Sequence, residues 1–243
     1  MPTDDFASAS RLEGVPSAFA ATRDGIDSLL RDRGLRRSSP DTTAESLLRG
    51  AAATAALEGS TYDVEALRAG EGDAVTLAAV RLSTELLGLV PVWERAPLQA
   101  LARLHALVAA GRVDAADLGR PVHPAGAQRL HALAQQVVRP TEAPGLVVAA
   151  LVHAEVAAAG AFCSDNPIVA RAAERLVLVA RGVDPASVTV PESGHAQAQG
   201  AYESARSAYE GGGQVGRQQW LLYAAEAFAR GAEATPLENN PRA

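Results

Sequence analysis

An all-α fold, a single domain of about eight to ten helices, is predicted by three features of the sequence. Apolar residues recur at helical spacing along most of the chain, and no stretch alternates convincingly as a half-buried strand does. Aromatic residues are only 4% of the 243 residues, whereas hydrophobic residues, mostly Ala, Leu and Val, are 48%. Such small apolar side chains suit closely packed helices better than a β-sandwich. Gly and Pro fall where the periodic segments start and stop.

Taken in order, residues 1–15 read as a loose tail. Ser17 reads as the cap of a first helix carrying Phe19, Ile26, Leu29 and Leu30 and ending at Gly34. LRRSSPD reads as a linker, after which Pro40 and Asp41 open a helix that runs to Gly59. TYDVEALRAG predicts a short helix, and DAVTLAAVRLSTELLGLV a longer one stopped by Pro91. APLQALARLHALVAAG sets Leu98, Leu101, Leu104 and Leu107 on one face, with Gly111 as a C-cap signal. VDAADLGRPVHP reads as a loop, followed by helices over AGAQRLHALAQQVV and PGLVVAALVHAEVAAAG. The second of these is apolar nearly all round, which places it at the centre of the fold. Asn166 is a favoured N-cap residue and Pro167 is pre-organised for the first helical position, so they open a helix running to Gly182. DPASVTVPESG reads as a loop, and helices over about 195–210 and 217–230, separated by the turn EGGGQVG, complete the domain. The chain thus divides into a tail and first helix (1–39), a helical domain (40–232) and a frayed tail (233–243).

Composition excludes several functions. The formal net charge is −6, all 22 basic residues are Arg, and no long basic run appears, which disfavours nucleic acid as a partner. A single cysteine, Cys163, excludes internal disulfides and thiolate metal clusters. The N-terminus is acidic and polar, unlike a signal peptide. The longest apolar stretch, Gly145–Phe162, carries His153 and Glu155, which argues against a membrane span. The expectation is a soluble cytoplasmic protein with no membrane partner. His105, His123, His131, His153 and His195 show no metal-ligand spacing, so no metal and no cofactor are expected. His153 reads as a buried, hydrogen-bonded helix residue, His195 as a loop residue, and Cys163 as an inert thiol.

Two stretches carry a family resemblance. TAALEGS has Thr54, three residues, then Glu58 and Gly59; AGAFCSDNPIVAR has Phe162, Asn166 and Arg171. Together they resemble the inhibitory-helix signature and the core motif of Fic (Fido) proteins. In this alignment the catalytic His of the motif falls on Gly160, and its acidic, metal-coordinating position on Ser164. The two glycines of the phosphate cradle fall on Asp165 and Pro167, and the first, phosphate-binding Arg falls on Ile168. His153 matches a histidine often seen on the preceding helix. ESGHAQAQGAYESARSAY and GRQQWLLYAAEAF resemble the family's C-terminal helices, with Tyr202, Tyr209 and Trp220 in order. The likeness covers roughly residues 40–230; the flap that docks target chains has no clear counterpart beyond DLGRPVHP.

The resemblance implies a Fic-like helical fold and, for the family, transfer of AMP from ATP to a protein hydroxyl. It also implies an inhibitory-type helix, 41–58, whose Glu58 pairs with Arg171. The departures point to loss of that chemistry. Gly160 has no side chain to take a proton, Pro167 lacks the N–H that a phosphate needs, Asp165 adds negative charge, and Ile168 supplies no cation. The expected function is a catalytically inactive binding or regulatory domain, a pseudo-enzyme. Its vestigial cleft comprises Phe162, Ser164, Asp165, Asn166 and Arg171, and its inhibitory-type motif Thr54, Glu58 and Gly59. The partner is an unidentified protein or small ligand, with homo-oligomerisation left open. Two alternatives stand beside it. One is an enzyme with divergent nucleotidyl- or phosphoryl-type transfer chemistry in the same cleft, using Cys163, Ser164 or Asp165. The other is a structural oligomerisation module with Ala-rich contact faces.

Overall fold

The segment that is apolar nearly all round lies where its composition demands. In the computed structural model, which describes residues 4–31 and 40–236, every residue from Leu146 to Ala154 of the helix Gly145–Ala159 is buried. Burying a Leu or Val side chain contributes roughly 1.5–3 kcal/mol, so this helix organises the core.

Around it the chain runs α1 (Asp5–Ser10), α2 (Val15–Leu30), α3 (Pro40–Leu57), α4 (Val64–Arg68) and α5 (Ala74–Leu86). A 3₁₀ turn, Leu87–Leu89, leads into α6 (Val90–Arg95) and then α7 (Pro97–Ala109), α8 (Pro124–Val137) and the central α9 (Gly145–Ala159). The chain ends with α10 (Asn166–Ala180), α11 (Pro191–Ala196), α12 (Gln199–Glu210) and α13 (Gly213–Glu233). No strand occurs among the described residues. α9 packs chiefly on α10 and also on α8, α12 and α13, while α3 packs on α5 and α11. Trp220 of α13 donates its indole N–H to the Ala150 carbonyl of α9 at 2.8 Å, locking the two helices in depth.

The structure corrects several boundaries and exceeds the predicted number of helices, because short helices form in segments read as tail or loop. Residues 5–10 are helical: Asp4 caps Ala7 N–H at 2.9 Å, and Phe6 and Ala9 are buried in the main core. Ser17 is not the cap of α2. Gly14 occupies the cap position with φ +76°, Pro16 sits in the first turn, and the Ser17 hydroxyl donates back to Gly14 O. Pro91 opens α6 rather than closing α5, since the first turn of a helix needs no N–H from it. The resulting stretch Ala74–Arg95 is long and apolar enough to cross a membrane by length and composition. Here the 3₁₀ turn interrupts it, and Leu82, Leu86, Leu89 and Trp93 are buried in the core. On α7, Leu101 and Leu104 are buried while Leu98 is exposed. Pro191 likewise begins α11, so His195 lies on a helix and α12 starts at Gln199. The predicted end of the first helix at Gly34, most of the linker, and the C-terminal residues 237–243 lie outside the described residues.

α11 fits against α13 only because of a glycine. A Cβ on Gly194 would lie 1.9 Å from the Ala227 carbonyl oxygen, which no side chain tolerates. This close crossing brings His195 into the centre of the molecule.

Candidate functional site

The loop between α9 and α10 is built by backbone geometry and two ties. Gly160 ends α9 in the left-handed region (φ +51°), with open space where a Cβ would stand. Ala161 O accepts Val122 N–H at 2.8 Å, fastening the loop to the segment before α8. Phe162 is buried, its ring stacked on His105 with centroids 4.4 Å apart. His105 Nδ1 accepts Gly119 N–H at 2.9 Å.

Asn166 does not cap α10 as predicted. Its Oδ1 accepts Phe162 N–H at 3.0 Å and its Nδ2 donates to Phe162 O at 2.9 Å, so the side chain closes the loop instead. Asp165 takes the cap position with φ +57° and makes no side-chain cap bond. Its carboxylate accepts Arg112 Nη1 at 2.8 Å and the Ser164 hydroxyl at 2.6 Å. Pro167 follows in the first helical turn. The N-terminus of α10 therefore carries a proline and, beside it, a carboxylate whose side chain is only 5% exposed and already paired to Arg112. Cys163 is exposed in the same loop.

Deeper in α10, Arg171 is 1% exposed and reaches α3's end: its Nη2 lies 2.6 Å from Glu58 Oε1, with Glu58 28% exposed. Glu58 follows the last turn of α3, where Gly59 (φ +89°) lets the chain reverse and Ser60 N–H close onto Ala55 O. Thr54, one turn earlier, is buried beside Ile168 and Ala172. Arg171 Nη1 also donates to the Tyr202 hydroxyl at 3.3 Å. Burial opposes the guanidinium charge, but Tyr202 and Glu58 outweigh it and raise the Arg171 pKa.

Behind Arg171 lies a hydrogen-bonded chain that joins five helices. Tyr202 OH meets His153 Nε2 at 2.9 Å, and His153 Nδ1 meets Glu174 Oε2 at 2.7 Å. Glu174 Oε1 meets His195 Nε2 at 3.0 Å, and His195 Nδ1 meets Tyr223 OH at 2.8 Å. Because a carboxylate only accepts, its two imidazole neighbours each turn an N–H toward it. Burial pushes the His153 pKa down to about 4, which keeps that ring neutral. Burial raises the Glu174 carboxyl, but His195 and His153 more than offset it and hold the group below the usual carboxylate range.

A second buried pair clamps α3 to α10 and α11. Arg175 binds Glu192 through both carboxylate oxygens, at 2.8 and 2.5 Å, and donates to Ser46 and Ser187. Gly50 lies against this pair: a Cβ there would stand 2.9 Å from Arg175 Nη2.

This arrangement of helices is found in a solved Fic family protein from Desulfovibrio desulfuricans G20, with a TM-score of 0.75 over 89% of this chain and 73% of that one, at 18% identity. The fold is Fic-like. Fic-1 from C. elegans, in a solved segment of its residues 134–508, is also similar, with a TM-score of 0.62, 16% identity, and coverage of 90% of this chain and 70% of that one. No protein-family model and no curated protein matches the sequence.

Within this Fic-like fold, the sequence-predicted residues separate into two groups. Phe162, Ser164, Asp165 and Asn166 meet in the loop before α10. Glu58 and Arg171 meet beneath it. Sequence reading missed Arg112, which arrives from the loop after α7, and the roles of Glu174, His195 and Tyr223. One signal was present: Arg171, Glu174 and Arg175 recur at i, i+3 and i+4 on an otherwise apolar helix, which puts three charges on one buried face.

Proposed function

We propose that this Fic-like domain does not transfer AMP and acts as a binding or regulatory domain. The observation that carries the reading is the state of the α10 N-terminus. A helix N-terminus holds phosphate through free N–H groups and its positive end. Here Pro167 contributes no N–H, and the Asp165 carboxylate lies beside that end, paired with Arg112. A phosphate arriving there meets an anion in a partly buried site, where charges interact more strongly than in water. Gly160, at the position the resemblance gives to the general base, offers no proton acceptor, and loss of such a base commonly costs about 10²–10⁴ in rate.

Incubation with ATP labelled on the α-phosphate, Mg²⁺ and a lysate of acceptor proteins tests this directly. The expected result is no label on this chain or on any acceptor above a protein-free control. Chain-dependent incorporation overturns the reading. One observation favours divergent transfer chemistry instead: the Ser164 hydroxyl donates to Asp165 at 2.6 Å, beside the exposed Cys163. Label mapped by mass spectrometry to Ser164 or Cys163 of this chain would support that alternative.

A further inference from the structure

Three side chains from three helices converge on one buried point. His153 of α9, Glu174 of α10 and His195 of α11 are each 0% exposed. His153 Nδ1 lies 2.7 Å from Glu174 Oε2, and His195 Nε2 lies 3.0 Å from Oε1 and 3.4 Å from Oε2. One ligand atom from each residue falls within 4.8 Å of the other two. The far nitrogens are held as well, His153 Nε2 by Tyr202 and His195 Nδ1 by Tyr223. A hydrogen-bond partner on the second nitrogen is what orients an imidazole toward a metal.

The charges around the cluster are uneven. Arg171 pairs with Glu58 and Arg175 with Glu192. Glu174 hydrogen-bonds only to the two imidazoles and has no guanidinium of its own. A buried carboxylate without a cation is costly, and imidazole N–H bonds offset only part of that cost.

We propose that His153, Glu174 and His195 bind a divalent transition ion of the Zn²⁺ or Co²⁺ class, which pins α9, α10 and α11 together. Two imidazole nitrogens with carboxylate oxygen form a donor set these ions take, whereas Mg²⁺ and Ca²⁺ favour all-oxygen sets. With both Glu174 oxygens engaged, the set supplies four atoms. On binding the ion, each imidazole turns a lone pair inward, so its N–H moves from the Glu174 side to the nitrogen facing the tyrosine hydroxyl. The ion is structural: burial of all three ligands leaves no approach for a substrate, and the site does not depend on the reading of the nucleotide cleft.

The sequence showed no ligand spacing because each helix contributes one ligand, with steps of 21 residues between them. Motifs built on a single helix cannot report such a site.

The test uses the full chain, stripped with EDTA, loaded with Zn²⁺ and passed through gel filtration. The expected result is one Zn²⁺ per chain by mass spectrometry and a melting temperature that rises with added ion. Co²⁺ in its place is expected to give the intense visible bands of a four-coordinate nitrogen and oxygen site. His195→Gln and Glu174→Gln lose the ion. Tyr223→Phe keeps all three ligands and, by loosening one imidazole, weakens binding roughly 10- to 100-fold. Little or no ion on folded wild-type protein overturns the proposal, whatever the variants do. Undiminished retention in a folded His195→Gln chain also overturns it, because the ion then sits elsewhere.

Discussion

Glu58 and Arg171 form a pair whose halves differ in what they leave behind. Removing Glu58 strands a guanidinium that is 1% exposed, still touching only Tyr202 and already carrying an unpartnered Nε. Removing Arg171 frees a carboxylate that is 28% exposed and can hydrate, but empties a large buried volume. Glu58→Ala is expected to destabilise by about 1–3 kcal/mol and Arg171→Ala by about 3–5 kcal/mol, measured by urea unfolding. Equal stability of all three proteins would show that the pair holds nothing in place. A second expectation concerns pH. His153 is neutral when folded, with its pKa pushed down to about 4 from an ordinary 6.5, so the unfolded chain binds a proton over that window and the native chain does not. Stability from this residue is fully present above pH 6.5 and falls toward pH 4, by on the order of 3 kcal/mol. Glu174, held low, extends the loss further into acid. Urea unfolding of EDTA-treated protein from pH 7.5 to 4.5 checks this, and a flat profile contradicts it. The Glu58–Arg171 contact was legible because each residue sits in a short pattern of its own. Glu174 was not legible, since its meaning depends on two imidazoles brought from other helices.

Helices in this chain are placed by small residues and proline as much as by apolar stripes. Proline was read as a stop at Pro91 and as part of a loop at Pro191, yet each begins a helix. One residue type marks both events, and only the packing of the helix after the proline separates them: Trp93 is buried after the first, His195 after the second. Phe6 escaped notice because one aromatic in a polar tail is a weak periodic signal, although it suffices to dock α1. Helix α3 is held by an element-scale fit, with Gly50 lying on the Arg175–Glu192 pair and Ser46 donating to Thr189 O at 2.7 Å. Gly50→Ala raises helix propensity by about 1 kcal/mol but forces a methyl into that pair. Overpacking of this kind costs roughly 1–3 kcal/mol, so net destabilisation is expected. A chain that melts higher as Gly50→Ala would show that α3 is not seated on the clamp.

For the whole molecule, helical periodicity carried the architecture, and α9 lies at the centre because it is apolar nearly all round, with Glu155 as its one charged residue. The same Fic-like arrangement persists at 18% identity to the protein from Desulfovibrio desulfuricans G20, which is possible because packing tolerates exchange of apolar side chains that keep their volume and pattern. Chemistry is less tolerant, because it depends on individual atoms at the start of α10. With Pro167 in the first turn and the Asp165 carboxylate tied to Arg112, this seat, on the proposed reading, does not accept a nucleotide's phosphates. Isothermal titration of the wild-type chain with ATP and Mg²⁺ measures that most directly. The prediction is heat no greater than dilution up to millimolar nucleotide; a saturable one-to-one isotherm with micromolar Kd would contradict it.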